Sequence, residues 1–307
     1  MNPSAHTCSA SSLAAGEPLA GTAVERVNTW ILVEVSDGWG RKGVEDTAMP
    51  EALRAQLLRA AALPAVRPQL IRRPGGPGQR VAAFVVRSGA VETVEHLSAE
   101  NLDALSSVDL VSWVAGEGEP PAGATRSAAS EAPLILVCAH GKRDRCCAEH
   151  GVALFTALER ELGDAVWQSS HLNGHRFAAT AVVFPGGWQY GRLGVDDASG
   201  LAAAVRGRRL YRLDRARGRT SQSNAVQAAE LAWRALDPSA RSTLDAPSID
   251  VEETSGDTIV TVSGKRFRVT QAPSPTSLVQ SCGTEPATPP RWSASLLATS
   301  PGARTMV

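Results

Sequence analysis

The order of predicted elements constrains the fold of this chain most, because a similar order occurs twice. Alternating and apolar runs predict a strand at 29–36, a helix at 49–63, two strands within 68–89 and a helix at 98–107 with Ser98 as its N-cap. The pattern restarts with a strand at 134–140, a helix at 148–162, a short strand at 165–171, a hairpin at 177–194 and a helix at 196–207. The chain is therefore predicted to contain two similar α/β units.

The second unit has the β-α-β-β-β-α order of a small thioredoxin-like sandwich, and the first is predicted to be a degenerate thioredoxin-like half. We predict an α/β (α+β) fold in which a helix at 223–236 and a hairpin at 257–270 form a small C-terminal extension. The Gly/Pro/Ala/Ser-rich stretch 115–133 separates the two units. The predicted organisation is a mobile tail (1–26), an N-terminal α/β domain (27–115), a linker (116–132), a thioredoxin-like domain (133–236), a small β extension (237–272) and an irregular C-terminal tail (273–307).

Composition argues against several classes of partner. Lys plus Arg equals Asp plus Glu at 31 each, so no overall field favours nucleic acid or an anionic membrane. No apolar run reaches membrane-spanning length, and the N-terminus shows no secretory pattern. The five cysteines are an odd number and two of them are adjacent, which argues against a disulfide-stapled secreted domain. We expect a cytoplasmic protein that binds neither nucleic acid nor membrane.

Two short segments hold an unusual share of the cysteines and histidines. CAHGKRDRCC (138–147) and HLNGH (171–175), with His150 between them, contain three of the chain's five cysteines and four of its six histidines. Thiolates and imidazoles are the donors that suit zinc or iron–sulfur clusters. The concentration therefore predicts a metal site or redox sulfur chemistry.

The predicted elements bring these donors to one edge of the sheet. Cys138 falls near the end of one strand and His171 at the end of the next, while Cys146 and Cys147 are expected in the loop before a helix. Structural zinc sites usually have cysteines about two to four residues apart, whereas eight residues separate Cys138 from Cys147. A two-iron cluster spreads its ligands over two metals, so longer loops fit it more naturally. The spacing favours iron and leaves zinc open.

Several separated motifs resemble the sucrase/ferredoxin-like family, in the same order. They are CAHGKRDRCCAEHG, SSHLNGHRFAATAVVFPGGWQYGRL and AVQAAE, and WILVEVSDGWGRKG is similar to the family's N-terminal region. The resemblance covers roughly residues 27–240 and is densest from 134 to 193. It implies a thioredoxin-like ferredoxin domain, and a [2Fe-2S] cluster held by two cysteines and by the two histidines of an HxxxH segment.

Carried onto this sequence, the resemblance implies Cys138, His171 and His175 as ligands of the cluster. Cys147 precedes a small residue at the expected helix start and fits the second cysteine better than Cys146, which is kept as the alternative. These four residues are the predicted cofactor-binding and metal-binding set. No catalytic residue is predicted.

The resemblance also implies a function, that of a ferredoxin-like electron-transfer protein. It would depend on a redox partner protein, either a reductase or an electron acceptor. Two neutral imidazoles in place of two thiolates would raise the reduction potential, and their protons would allow proton-coupled transfer. A sucrose hydrolase is not expected, because a glycosidase needs two carboxylates placed across a sugar, and Asp196 and Asp197 are interpreted as a helix start. We expect an electron carrier rather than a substrate-converting enzyme.

Two other functions use the same residues. The first is a structural Cys2His2 zinc site in a binding or scaffold protein. The second is a thioredoxin-like thiol oxidoreductase, which is weakened because no Cys-x-x-Cys spacing occurs.

The other cysteines and histidines are given structural roles. Cys8 and Cys282 are expected to be buried apolar side chains, with a position of Cys282 near the cysteine cluster left open, and His150 is expected to be exposed. His140 is expected to orient its loop or to hydrogen-bond a ligand. The KRDR segment (142–145) is either a solvated turn containing an Arg–Asp pair or a docking site for an acidic partner.

Overall fold

Helices pack on two β-sheets in this protein. The computed structural model describes residues 7–74, 80–89, 91–128, 133–253 and 257–298. Within these ranges, fourteen strands form a ten-stranded and a four-stranded sheet, and seven α-helices accompany them. The predicted mixed α/β class is confirmed.

The N-terminal half supplies five neighbouring strands of the large sheet. Its strands are β1 (Thr29–Glu34), β2 (Val66–Arg72), β3 (Val81–Arg87), β4 (Thr93–Ala99) and β5 (Thr125–Ala128), in the spatial order β2-β1-β3-β4-β5. Alternate residues of β1 face opposite sides of the sheet, so Ile31 and Val33 enter one core and Trp30 and Leu32 another. The first of these cores is closed by helices α2 (Glu51–Ala61), α3 (Leu102–Ser106) and α4 (Leu110–Ala115).

The C-terminal half repeats this arrangement. Its strands are β6 (Leu134–Cys138), β7 (Val166–Ser169), β8 (Ala181–Phe184), β9 (Trp188–Tyr190) and β10 (Ala216–Arg219), in the order β7-β6-β8-β9-β10. The helices of this half are α5 (Arg145–Leu162), α6 (Ala198–Arg206) and α7 (Asn224–Leu236). In each half the first strand runs parallel to the second and antiparallel to the third. The strand order therefore occurs twice, as the element order suggested.

The two halves join edge to edge. β2 and β7 pair antiparallel, with Ile71 opposite Ser169 and Arg72 opposite Gln168, so the second strand of each half finds a partner in the other. This pairing covers two edges that would otherwise expose unpaired backbone groups. Trp30 from the first half packs against Phe184 from the second, in a core that both halves share.

A four-stranded antiparallel sheet follows α7. It consists of β11 (Ile249–Glu253), β12 (Thr258–Val262), β13 (Lys265–Pro273) and β14 (Pro290–Leu296). α7 packs against it through a cluster that includes Ala229, Val260 and Phe267. The prediction of an irregular tail at 273–307 is wrong at β14. The strand has a weak sequence pattern, because only its alternate residues Trp292 and Ala294 pack on the cluster and the rest of RWSASL is polar or exposed.

The N-terminal segment also differs from its prediction. Helix α1 (Cys8–Ala14) lies inside the stretch expected to be a mobile tail, and residues 1–6 of that stretch lie outside the described part of the chain. Gln227 accepts a hydrogen bond from the Ala23 backbone and donates one to the Val24 carbonyl. Contacts with residues some two hundred positions away hold the segment in place. The local sequence pattern does not predict these contacts.

Three further predicted boundaries are corrected. Ser98 belongs to β4, and the helix after it is capped by Asn101, whose side chain accepts a hydrogen bond from the Ala104 N–H. β5 occupies part of the predicted linker, of which 129–132 lie outside the described residues. α5 begins at Arg145, three residues earlier than predicted. Among the described residues, no helix combines the length and apolar character that crossing a membrane requires.

Candidate metal centre

Three elements of the C-terminal half bring the predicted ligands together. Cys138 ends β6, Cys147 lies in the first turn of α5, and His171 follows the end of β7. Because β6 and β7 are parallel, their C-terminal ends lie at the same edge of the sheet. Gly151 lets α5 approach this edge closely, since a Cβ at this position would collide with the Cys138 carbonyl oxygen. Sequence reasoning missed this glycine because nothing in its local context marks it.

The first centre is the set Cys138, Cys147, His171 and His175. The two Sγ atoms and the His171 Nδ1 all lie within 4.8 Å of one another. His171 Nδ1 is 3.9 Å from Cys138 Sγ and 3.8 Å from Cys147 Sγ. Both thiols are fully buried and the imidazole is half-buried. Three donors of this type at these distances form an arrangement that a metal can occupy.

His175 lies beside this group and is not one of the three mutually close donors. Its ring centroid is 5.0 Å from that of His171. Its Nδ1 is buried and has no hydrogen-bond partner among the described residues, whereas most buried polar atoms in proteins have one. Gly174 precedes it at φ +70°, and a Cβ there would collide with the Arg217 guanidinium. The HLNGH turn therefore presents an unpartnered ring nitrogen next to the other donors.

The pKa values of the two thiols in the first centre shift in opposite directions. A hydrogen bond from the Cys147 thiol, and then the His171 side chain, lowers the pKa of Cys138 well below its usual value, despite burial. The same hydrogen bond, together with burial, raises the pKa of Cys147. Burial lowers the pKa of His175. These directions favour a thiolate at Cys138 and a neutral imidazole at His175, and metal binding has to displace the proton of the Cys147 thiol.

His140 holds His171 in place rather than joining the centre. It is buried, its Nε2–H donates to the Gly40 carbonyl at 2.7 Å, and its Nδ1 accepts the backbone N–H of His171 at 3.2 Å. Burial lowers the pKa of His140, which agrees with one ring nitrogen acting as an acceptor. His140 thus hydrogen-bonds the backbone of a predicted ligand, one of the two roles predicted for it, and its bond to Gly40 also orients its loop, which is the other role.

Cys146 lies in a different group from Cys147. Successive residues of a helix point about 100° apart, so the two thiols of α5 leave its first turn in different directions. Cys146 Sγ is 3.5 Å from Cys8 Sγ and 3.4 Å from Cys282 Sγ, and the latter two are 3.7 Å apart. The predicted burial is confirmed for Cys8, whereas Cys282 is half-buried and lies near Cys146, the alternative left open for it. Neither thiol is an isolated apolar side chain, which corrects that part of the prediction. With Asp144 they form the second cluster, whose four donor atoms all lie within 4.8 Å of one another.

Asp144 is the N-cap of α5 and is almost fully buried. Its carboxylate accepts the backbone N–H groups of Cys146 at 2.9 Å and Cys282 at 2.8 Å, and the Ser281 hydroxyl at 2.9 Å. Burial opposes its charge, but these N–H groups outweigh burial and lower the pKa of Asp144 to about 2. The KRDR segment is therefore a solvated turn only at its three cationic residues, since its aspartate faces inward.

His150 also differs from its prediction. It is half-buried, and its Nε2 lies 3.2 Å from the Ser9 hydroxyl, so it contacts the N-terminal helix rather than solvent alone. Ser9 Oγ is in turn 3.3 Å from Cys146 Sγ. The N-terminal helix thus covers this side of α5.

A basic cavity of about 460 Å³ opens beside His171. Its charged lining includes Arg41, Lys42, Arg67 and Arg143, with Glu45 as the acidic member. Arg67 donates to the His171 carbonyl at 3.0 Å, and its burial lowers its pKa to about 10. The imidazole edge of the first centre thus faces a positively charged surface.

Comparison with known proteins places the chain in a family. The family model described as sucrase/ferredoxin-like matches residues 19–213, nearly two thirds of the chain. No curated protein and no solved structure matches. The matched range contains the whole first centre and leaves out Cys8 and Cys282. The chain belongs to the sucrase/ferredoxin-like family.

Proposed function

We propose that this chain is a ferredoxin-like electron-transfer protein whose first centre holds a [2Fe-2S] cluster through Cys138, Cys147, His171 and His175. The observation that carries the proposal is the meeting of two buried thiols and an imidazole nitrogen within 4.8 Å, beside a second buried imidazole nitrogen without a partner. When bound, such a cluster supplies one-electron exchange.

The placement of His175 supports two metals rather than one. A single tetrahedral ion needs all four donors close together, and His175 stands outside the compact group formed by the other three. A cluster of two irons spreads its ligands, with the thiolates on one metal and the imidazoles on the other. Two neutral imidazoles carry less negative charge than two thiolates, so we expect a higher potential than that of an all-cysteine ferredoxin.

The surrounding residues hold and insulate this ligand set. The thiols are buried at 1% exposure each, which keeps water from them, while the His175 side chain retains 14%. His140 and Arg67 fix the backbone of His171 through its N–H and its carbonyl. Electron exchange is therefore expected at the histidine edge, where the proton-coupled transfer implied by the family would also take place.

The charge around that edge supports an acidic redox partner. Arg41, Lys42, Lys142 and Arg143 are all exposed on the two loops that flank His140. A positive surface favours encounter with a negatively charged reductase or acceptor, and this effect weakens with salt. We place the protein in the cytoplasm, where its five unpaired cysteines would stay reduced.

A structural zinc site is the second candidate, and the compactness of the three donors of the first centre favours it. A thiol oxidoreductase gains from the lowered pKa of Cys138. However, both thiols of the first centre are buried, so a disulfide substrate could not reach them.

Anaerobic purification with iron and zinc analysis tests the proposal. We expect a red-brown protein whose visible spectrum bleaches with dithionite, and a rhombic low-temperature EPR signal in the reduced state. A colourless, EPR-silent protein with zinc bound to Cys138 and Cys147 would reassign the centre to the structural candidate.

A further inference from the structure

The second cluster draws its donors from three distant parts of the chain. Cys8 lies at the start of α1, Asp144 and Cys146 at the start of α5, and Cys282 in the loop between β13 and β14. Cys8, Asp144 and Cys146 are buried, and Cys282 is half-buried. The family match at 19–213 does not include Cys8 or Cys282.

The distances within this cluster fit a single tetrahedral ion. Zn–S bonds of about 2.3 Å place two thiolates of a tetrahedron about 3.8 Å apart, and the three sulfur pairs are 3.4, 3.5 and 3.7 Å apart. Cys8 Sγ is also 3.7 Å from Asp144 Oδ1. A disulfide bond is only about 2.05 Å long, so the three sulfurs are arranged around a common centre rather than paired.

We propose that Cys8, Asp144, Cys146 and Cys282 bind one Zn²⁺ ion as a structural site. Three thiolates and one carboxylate form a closed donor set without an open position, which is typical of structural rather than catalytic zinc. The ion would clamp α1 and the β13–β14 loop onto the first turn of α5.

The surroundings of these four residues suit a negatively charged zinc site. Backbone N–H groups of Cys146 and Cys282 already orient the Asp144 carboxylate, as hydrogen bonds to a metal ligand commonly do. The donors also lie at the N-terminus of α5, an 18-residue helix whose dipole favours negative charge there.

The site adjoins the first centre without sharing a donor with it. Asp144 Oδ2 lies 3.9 Å from His175 Nε2, while the orphaned nitrogen of His175 is Nδ1. A zinc ion bound by Asp144 would therefore fix the carboxylate that faces Nε2 of His175. The inference does not rest on the identity of the metal in the first centre, because the four donors here are different.

Metal analysis of the full-length protein, expressed with both iron and zinc supplied, tests the proposal. We expect about one zinc per chain in the unsubstituted protein after gel filtration. Removing a hydrogen-bond partner of a metal ligand typically lowers metal affinity 10- to 100-fold, and removing a ligand lowers it more. Cys8→Ser and Cys282→Ser should therefore retain at least about tenfold less zinc under a chelator challenge. Their iron content should not change.

Two control variants separate the sites. Glu285→Gln changes an exposed residue of the same loop and removes neither a donor nor a hydrogen-bond partner of Asp144, so it should keep its zinc. Cys138→Ala should lose iron and keep zinc. Zinc that is absent from the unsubstituted protein, that is unchanged in Cys8→Ser and Cys282→Ser, or that disappears in Cys138→Ala alone would overturn the proposal.

Zinc X-ray absorption on the unsubstituted protein tests the ligand set without any variant, and so remains informative if a variant fails to fold. We expect a first shell of three sulfurs at about 2.3 Å and one oxygen at about 2.0 Å. In protein that holds one zinc per chain, a shell containing imidazole nitrogen would contradict the proposed ligands. So would a disulfide between any two of Cys8, Cys146 and Cys282, found by mass spectrometry of the anaerobically purified protein.

Discussion

Cys146 and Cys147 are neighbours in the first turn of α5, and their side chains enter two different donor groups. Cys147 meets Cys138 and His171, which lie within about 35 residues of one another in the sequence. Cys146 meets Cys8 and Cys282, which are 274 positions apart. The donors of the first centre all belong to one β-α-β unit and the turn after it. The donors of the second cluster come from distant segments that pack against the N-terminal end of α5.

Both groups contain a half-buried member, and they differ in what lies beside it. The first centre reaches a basic cavity through the half-buried His171. The second cluster is covered by α1 and by the Ser281–Cys282 segment, in which the Ser281 hydroxyl and the Cys282 N–H donate to Asp144. Electron exchange needs an edge that a partner can approach, and a structural ion needs a closed set of ligands. The difference supports a redox role for the first and a structural role for the second.

Replacing each of the two adjacent cysteines with alanine should distinguish the two donor groups most clearly. Cys147→Ala should abolish iron binding and visible colour, because it removes a donor from the first centre. Cys146→Ala should keep the iron and lose zinc, which makes it the matched control. Iron and zinc per chain are the measurements. Equal iron loss in both folded variants would mean that the two thiols belong to one site.

Exchanging a histidine for a thiolate should lower the potential of the first centre. His175→Cys adds negative charge, and the contrast between bis-histidine and all-cysteine two-iron centres suggests a drop of roughly 100 mV or more. Redox titration followed by EPR measures it. His150→Ala, at a residue whose side chain contacts Ser9, should leave the potential unchanged. An unaltered potential in His175→Cys would remove this histidine from the ligand set.

The potential of the first centre should fall as pH rises. Loss of an imidazole proton is easier in the oxidised state, so alkaline pH stabilises that state, with a limiting slope of about 59 mV per pH unit for one proton and one electron. Protein-film voltammetry between about pH 6 and 10, around and above the usual histidine pKa, would record the curve. A flat line over this range would exclude proton coupling at the histidines.

Charge reversal at the basic edge should give a smaller effect. At low ionic strength, Arg143→Glu should slow oxidation by anionic ferricyanide a few-fold, because it weakens electrostatic steering. Oxidation by a cationic ruthenium complex should not slow. Arg160→Glu, at the far end of α5, is the control. Stopped-flow rates that fall equally with both oxidants would argue against a charged docking edge beside His171.

Local sequence pattern predicted that Cys138 and His171 lie at one edge of the sheet, whereas the choice of the four ligands came from the family resemblance. The strand ending at Cys138, the strand before His171 and the repeated element order all depend on periodicities of a few residues. The choice between Cys146 and Cys147 depended on the helix start. α5 begins at Arg145, where the Asp144 carboxylate caps it, and a boundary misplaced by three residues put both thiols in a loop.

The second cluster had no local signal. Cys8 stands in a Ser/Ala-rich segment and Cys282 in a polar loop, and each taken alone resembles an ordinary free thiol. β14 was missed for a related reason, because only Trp292 and Ala294 of that strand pack inward. Such features depend on contacts between distant segments, which residue spacing does not encode.

Pulsed EPR on dithionite-reduced protein labelled with ¹⁵N-histidine would test the central claim most directly. If Cys138, Cys147, His171 and His175 hold a two-iron cluster, the unsubstituted protein should show two strongly coupled histidine nitrogens. His175→Cys should show one. A reduced cluster without coupled histidine nitrogen, or a protein without any reduced-state signal, would contradict it.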